Sequence, residues 1–274
     1  PSLLSTSLAM WWVVVAALLH SVEGAVSPPQ YLNVTSARSS SIHPLHIKNP
    51  LTLWCSADGL KSAKFVHLSK EKKIHPAKIT GNNATITIDS PTVLYAGDYR
   101  CEMEAKGGMK TETTSVYVRP VVHTELVEKV DEKEGENFIV DMTAIVLTEG
   151  GSFNITCPAF SHPLPKIKWT KNGNILTLSS RISLSGDRLT ITGVDFSDEG
   201  VYSCEAVNEF TVATKTMRPM LKVSRIVTVK SQYAWVWPLA VIIATLLILI
   251  LVIWFCEIRK KNREKRAATY LAED

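Results

Sequence analysis

Cysteine is the residue type able to do chemistry that this sequence places most regularly. Five occur, at Cys55, Cys101, Cys157, Cys204 and Cys256, the first pair 46 residues apart and the second 47. Four cysteines permit three pairings. Two nearly equal intervals favour one bridge in each of two tandem copies, Cys55–Cys101 and Cys157–Cys204. Closing loops of that length would stabilise each copy by about 4 kcal/mol in the chain-entropy picture. Three sequons supply a second chemistry, N-glycosylation at Asn33, Asn83 and Asn154. Catalytic chemistry has no comparable pattern. The seven histidines are scattered, and His43-Pro44-Leu45-His46 has no third ligand at metal spacing. No glycine-rich phosphate loop, nucleophile elbow or paired-carboxylate motif stands out. An enzyme, a cofactor and a bound metal are therefore not expected.

The elements that must position these cysteines are strands. Ser152-Phe153-Asn154-Ile155-Thr156-Cys157 alternates polar and apolar, the period of a half-buried strand. Parity turns Phe153, Ile155 and Cys157 inward and leaves Asn154 pointing out. Trp169 follows within Lys166-Ile167-Lys168-Trp169-Thr170-Lys171, which runs into an Asn172-Gly173 turn. Arg188 to Val194 gives another strand, and Asp198-Glu199-Gly200-Val201-Tyr202-Ser203-Cys204 closes the unit. A Cys…Trp…Cys series with tyrosine two residues before the last cysteine is the immunoglobulin sandwich pattern. There the indole packs on the inter-sheet disulfide and the tyrosine hydroxyl ties a corner to backbone.

The first copy repeats the frame with a different core. Leu51-Thr52-Leu53-Trp54-Cys55 leads into the first cysteine, and Tyr95-Ala96-Gly97-Asp98-Tyr99-Arg100-Cys101 gives the corner, with Tyr99 as its tyrosine. No tryptophan matches Trp169; Phe65 or His67 occupies that stretch, and Tyr95 stands where the second copy has Asp198. The fold class expected is all-β, two tandem immunoglobulin-like β-sandwiches plus one transmembrane α-helix. The first domain covers 25–119 and the second 138–224. Between them, 120–137 is a charged segment that reads as a linker or as an extended first strand of domain two. Lys70, Lys72, Lys73 and Lys78 form a basic tip that reads as a solvated face, with glycosaminoglycan contact as the alternative.

Charge and hydropathy fix the compartment. Trp11 to Leu19 is an apolar block of signal-sequence length, with cleavage expected before Ala25, so 1–24 reads as a signal peptide. Trp235 to Phe255 holds 21 residues without a charge, a helix of about 31 Å against a hydrocarbon core of about 30 Å. Tyr233, Trp235, Trp237 and Trp254 sit where rings favour headgroups. Six of the 30 Lys and Arg crowd between Arg259 and Arg266, leaving 24 cations against 22 acids ahead of the span. That near-neutral exterior disfavours nucleic acid as a partner, and the basic cluster points the C-terminus to the cytoplasm. The expected order is stalk 225–234, span 235–255 and cytoplasmic tail 256–274. Ala240 and Ala244, with Thr245 beside them, make a small-residue face for helix packing. Cys256, at the inner boundary, is a candidate for S-palmitoylation. Tyr270-Leu271-Ala272-Glu273 lacks the apolar residue of a typical tyrosine signalling motif.

Two glycosylated immunoglobulin domains, Trp237-Pro238 opening the span and Cys256-Glu257-Ile258-Arg259-Lys260-Lys261 closing it resemble the basigin, neuroplastin and embigin group. The resemblance implies cell-surface adhesion, including axon guidance. It also implies an accessory role, escorting a multi-pass transporter such as a monocarboxylate transporter or calcium pump. That group carries a glutamate within the span, and Thr245 stands in its place here. An intramembrane acid costs about 2.5–3.5 kcal/mol and normally marks a partner contact. Its replacement removes the residue-level reason for transporter escort. The expectation is a single-pass type I plasma-membrane glycoprotein that adheres to another cell-surface protein, itself included. A transporter accessory subunit is the alternative.

Overall fold

The computed structural model describes residues 24–69, 72–132 and 137–270. The expected signal peptide up to Glu23, Lys70 of the basic tip, and the tail beyond Tyr270 lie outside the described residues.

The first domain runs β1 (Ala25–Val26), β2 (Gln30–Leu32), β3 (Arg38–Ser39), β4 (Leu51–Ser56) and β5 (Ser62–His67). It continues with β6 (Ile74–Pro76), β7 (Lys78–Thr80), β8 (Asn83–Ile88), β9 (Gly97–Ala105) and β10 (Gly108–His123). Alternation drives the layering: Leu51, Leu53 and Cys55 of β4 are buried between Thr52, Trp54 and Ser56, which are not. One sheet has the order β1-β4-β8-β7, and the facing sheet contains β10-β9-β5-β6. Cys55 on β4 and Cys101 on β9 form a disulfide that staples the two sheets together.

The second domain runs β11 (Val127–Glu132), β12 (Asn137–Thr148), β13 (Ser152–Thr156), β14 (Ala159–His162), β15 (Lys166–Lys171) and β16 (Asn174–Ile175). Then come β17 (Ile182–Ser185), β18 (Arg188–Thr192), β19 (Gly200–Val207), β20 (Phe210–Val212), β21 (Lys215–Met217) and β22 (Met220–Lys230). Its sheets are β11-β12-β22-β19-β15-β16 and β13-β18-β17, bridged by Cys157–Cys204. The stretch 120–137, read from sequence as linker or first strand, holds the end of β10 and the whole of β11. Strand β11 pairs antiparallel with β12, and β12 pairs parallel with β22. Strand β22 also reaches Lys230, through the first half of the expected stalk.

Both cores follow one register. Trp169 lies opposite Cys204, and Phe65 lies opposite Cys101. Phe65, fully buried, therefore takes the place of the missing indole. Each domain has a tyrosine corner. The Tyr99 hydroxyl donates to the Tyr95 carbonyl at 2.9 Å, and that of Tyr202 donates to the Asp198 carbonyl at 2.8 Å. Burial, aided by the charge of Asp198, pushes the Tyr202 phenol up to about 12, so it remains a donor. The second corner is further fixed by buried Asp198, which accepts from the Asp195 amide at 2.9 Å and pairs with Arg181 at 3.0 Å.

Helix α1 (Val236–Tyr270) has 35 residues, about 52 Å long. It runs beyond the apolar span and carries the basic cluster as continuous helix. Arg259 folds back over the Phe255 ring, 4.9 Å from its centroid. Tyr202→Phe is expected to cost about 1 kcal/mol, the net worth of one hydrogen bond. Thermal denaturation should show the second domain melting about 4–8 °C lower.

Candidate functional site: the joint, the exposed faces and the span

The chain passes between domains without a free linker, because β10 belongs to both. From Gly108 to Val116 it pairs with β9. From Val118 to Val122 it pairs with β14 of the second domain, the register shifting between Val118 and Val121. Pro120, which has no N–H to give a ladder, sits in that irregularity. Val116, Val118, Val121 and Val122 are all fully buried.

Side chains from both domains close over this strand. Phe210 of β20 packs between Tyr31 and Tyr117, with ring centroids 5.4 Å and 5.2 Å away. Tyr117 also stacks on His162 at 6.1 Å, and His162 reaches Asp98 of the first domain at 3.1 Å. The Asn208 amide donates to the Val118 carbonyl at 3.2 Å and to the Pro163 carbonyl at 3.3 Å. Arg119 lies 3.7 Å over the Phe138 ring. None of these partnerships was foreseen from sequence. The available signal was Val116-Tyr117-Val118-Arg119-Pro120-Val121-Val122, too apolar for a linker.

His67 stands beside this joint. It is buried and stacks on Tyr99 at 4.6 Å. Gly97, at φ 153°, makes room for it, since a Cβ there would collide with His67 Nε2. Gly200 plays the same part in the second domain, where a Cβ would fall 2.6 Å from Asn172 Oδ1. Burial holds the His67 pKa below the ordinary histidine value, with His162 and Lys73 acting in the same direction and Asp98 and the Ala96 backbone against it.

The residues singled out in the sequence are distributed over the molecule and form no single cluster. Asn33, Asn83 and Asn154 are all exposed. His43 and His46 are exposed too, and His46 lies 3.3 Å from Ser90 Oγ. Of the basic tip, Lys73 sits 5.3 Å from the Tyr95 ring centroid. Along α1, Ala240, Ala244, Thr245 and Cys256 face outward with the apolar side chains around them. The Thr245 hydroxyl donates to its own helix, to the Ile242 carbonyl at 2.8 Å. Among the described residues no group of three His, Cys, Asp or Glu is placed to hold a metal.

Two disulfide-stapled sandwiches with tyrosine corners, followed by one apolar helix long enough to cross a bilayer, define an immunoglobulin-superfamily protein of cell-surface type. Within that class, a model described as "Zwei immunoglobulin domain protein, N-terminal" matches residues 28–116, and an immunoglobulin-domain model matches 138–208. Zwei Ig domain protein zig-1 of Caenorhabditis elegans is 41% identical over 241 residues, spanning 86% of this chain and 90% of zig-1. The chain belongs to the Zwei immunoglobulin domain family. Muscle M-line assembly protein unc-89 of the same organism is 32% identical over 139 residues, 48% of this chain but 2% of unc-89. A tandem pair of titin immunoglobulin domains superposes with a TM-score of 0.46 at 13% identity, covering 77% of this chain and 98% of that one. The two family models and zig-1 establish the immunoglobulin class; membership of the basigin group is not shown.

Two outcomes follow from the joint. Phe210→Ser empties the space between Tyr31 and Tyr117, and calorimetry should then show the two domain transitions, which overlap in the native chain, drawn further apart. His67 contributes through the opposite of a charge-stabilised pair. Its folded pKa lies below the unfolded value of about 6.5, so its contribution is complete above that pH and is lost as pH falls from there through the lower folded pKa. The melting temperature of domain one should therefore decline from pH 7 to pH 5. His67→Phe should flatten most of that slope, leaving the part due to His75, which burial also holds low.

Proposed function

We propose that this chain is a type I cell-surface glycoprotein whose leader is removed before Ala25. Residues 25–234 lie outside the cell and the basic end of α1 lies in the cytoplasm. Its function on this reading is recognition of another cell-surface protein, first of all a second copy of itself, and thereby cell–cell adhesion. The carrying observation is the joint. Strand β10, Phe210 and Asn208 hold the two domains in one geometry, which suits them to present a fixed composite surface rather than a pair of free modules. The cations from Arg259 to Arg266, set against Arg225 and Lys230 before the span, support the orientation. Three exposed sequons ahead of the span agree with it.

The competing reading, an accessory subunit of a monocarboxylate transporter or calcium pump, rests on the basigin-like flanks of the span. Thr245 weakens it, since its hydroxyl is already bonded to Ile242 and presents no acid to a partner. Cells displaying the full chain should cluster with one another and sort away from cells lacking it. Clustering should survive exchange of 235–255 for an unrelated apolar span. Loss of clustering on that exchange, with the chain still at the surface, would favour a membrane partner. Absence of clustering by the native chain would remove the homophilic reading.

A further inference from the structure

The outer face of the β1-β4-β8-β7 sheet carries a feature that the fold leaves unexplained. Strands β4 and β8 pair with Trp54 opposite Thr85 and Ser56 opposite Asn83. Leu53, Cys55, Ala84 and Ile86 turn into the core. Thr52, Trp54, Ser56, Asn83 and Thr85 face outward and together line one shallow concavity. Trp54 is 38% exposed there. Strand β4 lies inside the sheet, between β1 and β8, so the indole caps no edge.

The second domain provides an internal comparison. On β13 and β18 the outward positions are Ser152, Asn154, Thr156, Arg188, Thr190 and Thr192, all polar, and the sequon Asn154 has no ring beside it. In the first domain the sequon Asn83-Ala84-Thr85 buries only its middle residue. Its asparagine and its threonine share the face with Trp54. Asn83 is the diagonal neighbour of Trp54, at a separation of about 7–8 Å that an aromatic or a long group can bridge.

We propose that Asn83 carries an N-linked glycan whose innermost N-acetylglucosamine lies on the indole of Trp54, covering this sheet face with sugar. One side of a pyranose presents C–H groups in a row, and the N-acetyl methyl extends that apolar strip. Both pack on a π-face and withdraw it from water while the hydroxyls stay solvated. In the attachment step the Asn83 Nδ2 forms a bond to C1 of a lipid-pyrophosphate-linked oligosaccharide. The C1–O bond breaks, the lipid pyrophosphate leaves as the anion, and the amide releases one proton. The sugar on Trp54 rests on the proposed exterior placement of this domain.

The test uses the full chain made in cells with a secretory pathway, alongside Trp54→Thr, which keeps strand propensity. Glycopeptide mass spectrometry should find Asn83 occupied. Trimming to a single N-acetylglucosamine should leave the melting temperature of domain one unchanged, and complete removal should lower it by about 4 °C. In Trp54→Thr, complete removal should produce no such fall. The other two glycans and the conversion of asparagine to aspartate are common to both chains and cancel. An equal fall in both chains, or none in the native chain, overturns the proposal. So does an unoccupied Asn83 beside occupied Asn33 and Asn154, which leaves the exterior placement standing. If all three are bare, the proposal and the exterior placement fail together.

Discussion

Backbone pairing along β10 is the constraint from which the arrangement of the whole exterior follows. A buried peptide group needs a hydrogen-bond partner, or it costs about as much as a lost bond. Val116, Val118, Val121 and Val122 are apolar and fully buried, yet β9 ends its ladder with β10 at Val116. Beyond that point the partners come from elsewhere: β2 and β3 run parallel on one flank, and β14 runs antiparallel on the other. Because β14 is part of the second domain, satisfying those peptides brings that domain into place. The aromatic contacts of Phe210 and the Asn208 amide then close the same seam. The joint is thus a consequence of one over-apolar strand.

The two sandwiches solve one packing problem with different residues. Each needs a filler over its disulfide, a glycine that lets a side chain reach the corner, and a tyrosine tied to backbone four residues earlier. The first domain uses Phe65, Gly97 with His67, and Tyr99; the second uses Trp169, Gly200 with Asn172, and Tyr202. The corners differ in charge. In the second, Arg181 compensates buried Asp198; in the first, Tyr95 stands at the corresponding place, gives its carbonyl to Tyr99 and sets its ring against Lys73 and His75. Exchanging an ion pair for an aromatic removes a desolvation cost. Buried His67, in the room that Gly97 leaves, makes the first domain the one whose stability responds to mild acid.

Much of this was legible in the sequence because the responsible forces are local. Alternation in Leu51-Thr52-Leu53 and in Phe153-Asn154-Ile155 announces half-buried strands, and the matched cysteine intervals announce the repeat. The apolar run after Trp235 announces the helix by length alone. What was not legible depends on sequence-distant partners. Phe65 and His67 share parity and turn to the same face, so which of them lies at the disulfide is decided only by the β5–β9 register. Charge left 120–137 open between linker and first strand, because Val127 and Val130 are three apart and show no strand period; only pairing with β12 shows 127–132 to be a strand. Tyr31, Tyr117, Asp98, His162 and Phe210 are spread over 180 residues, and no spacing rule connects them. The helix beyond Phe255 was read as tail because charge ends a membrane span, but charge does not end a helix.

The sequons also divide the surface. Asn83 on β8 and Asn154 on β13 both lie on the smaller sheet of their domain, facing outward. Asn33 follows β2, at the flank of the larger sheet of the first domain. On the β9–β5 and β19–β15 parts of the larger sheets the repeat extends past the cysteines. Lys64 and Lys168 each precede the core aromatic, and Glu102 and Glu205 each follow the second cysteine. Lys64 meets Glu102 at 3.0 Å and Arg100 meets it at 2.7 Å, while Lys222 lies 4.0 Å from Glu205. The two cations hold the Glu102 carboxyl below its ordinary value, so Glu102 keeps its charge in mild acid. Exposed pairs of this kind add little to stability. Across an interface, complementary charges of the same kind favour the right partner and speed encounter more than they tighten binding. If recognition uses these open faces, salt should weaken it through encounter rather than through the fold, because the contacts of the joint and of both cores are buried, where salt screens little. The buried seam would then set the geometry of contact and the charged rows its selectivity, two properties that mutation could vary separately.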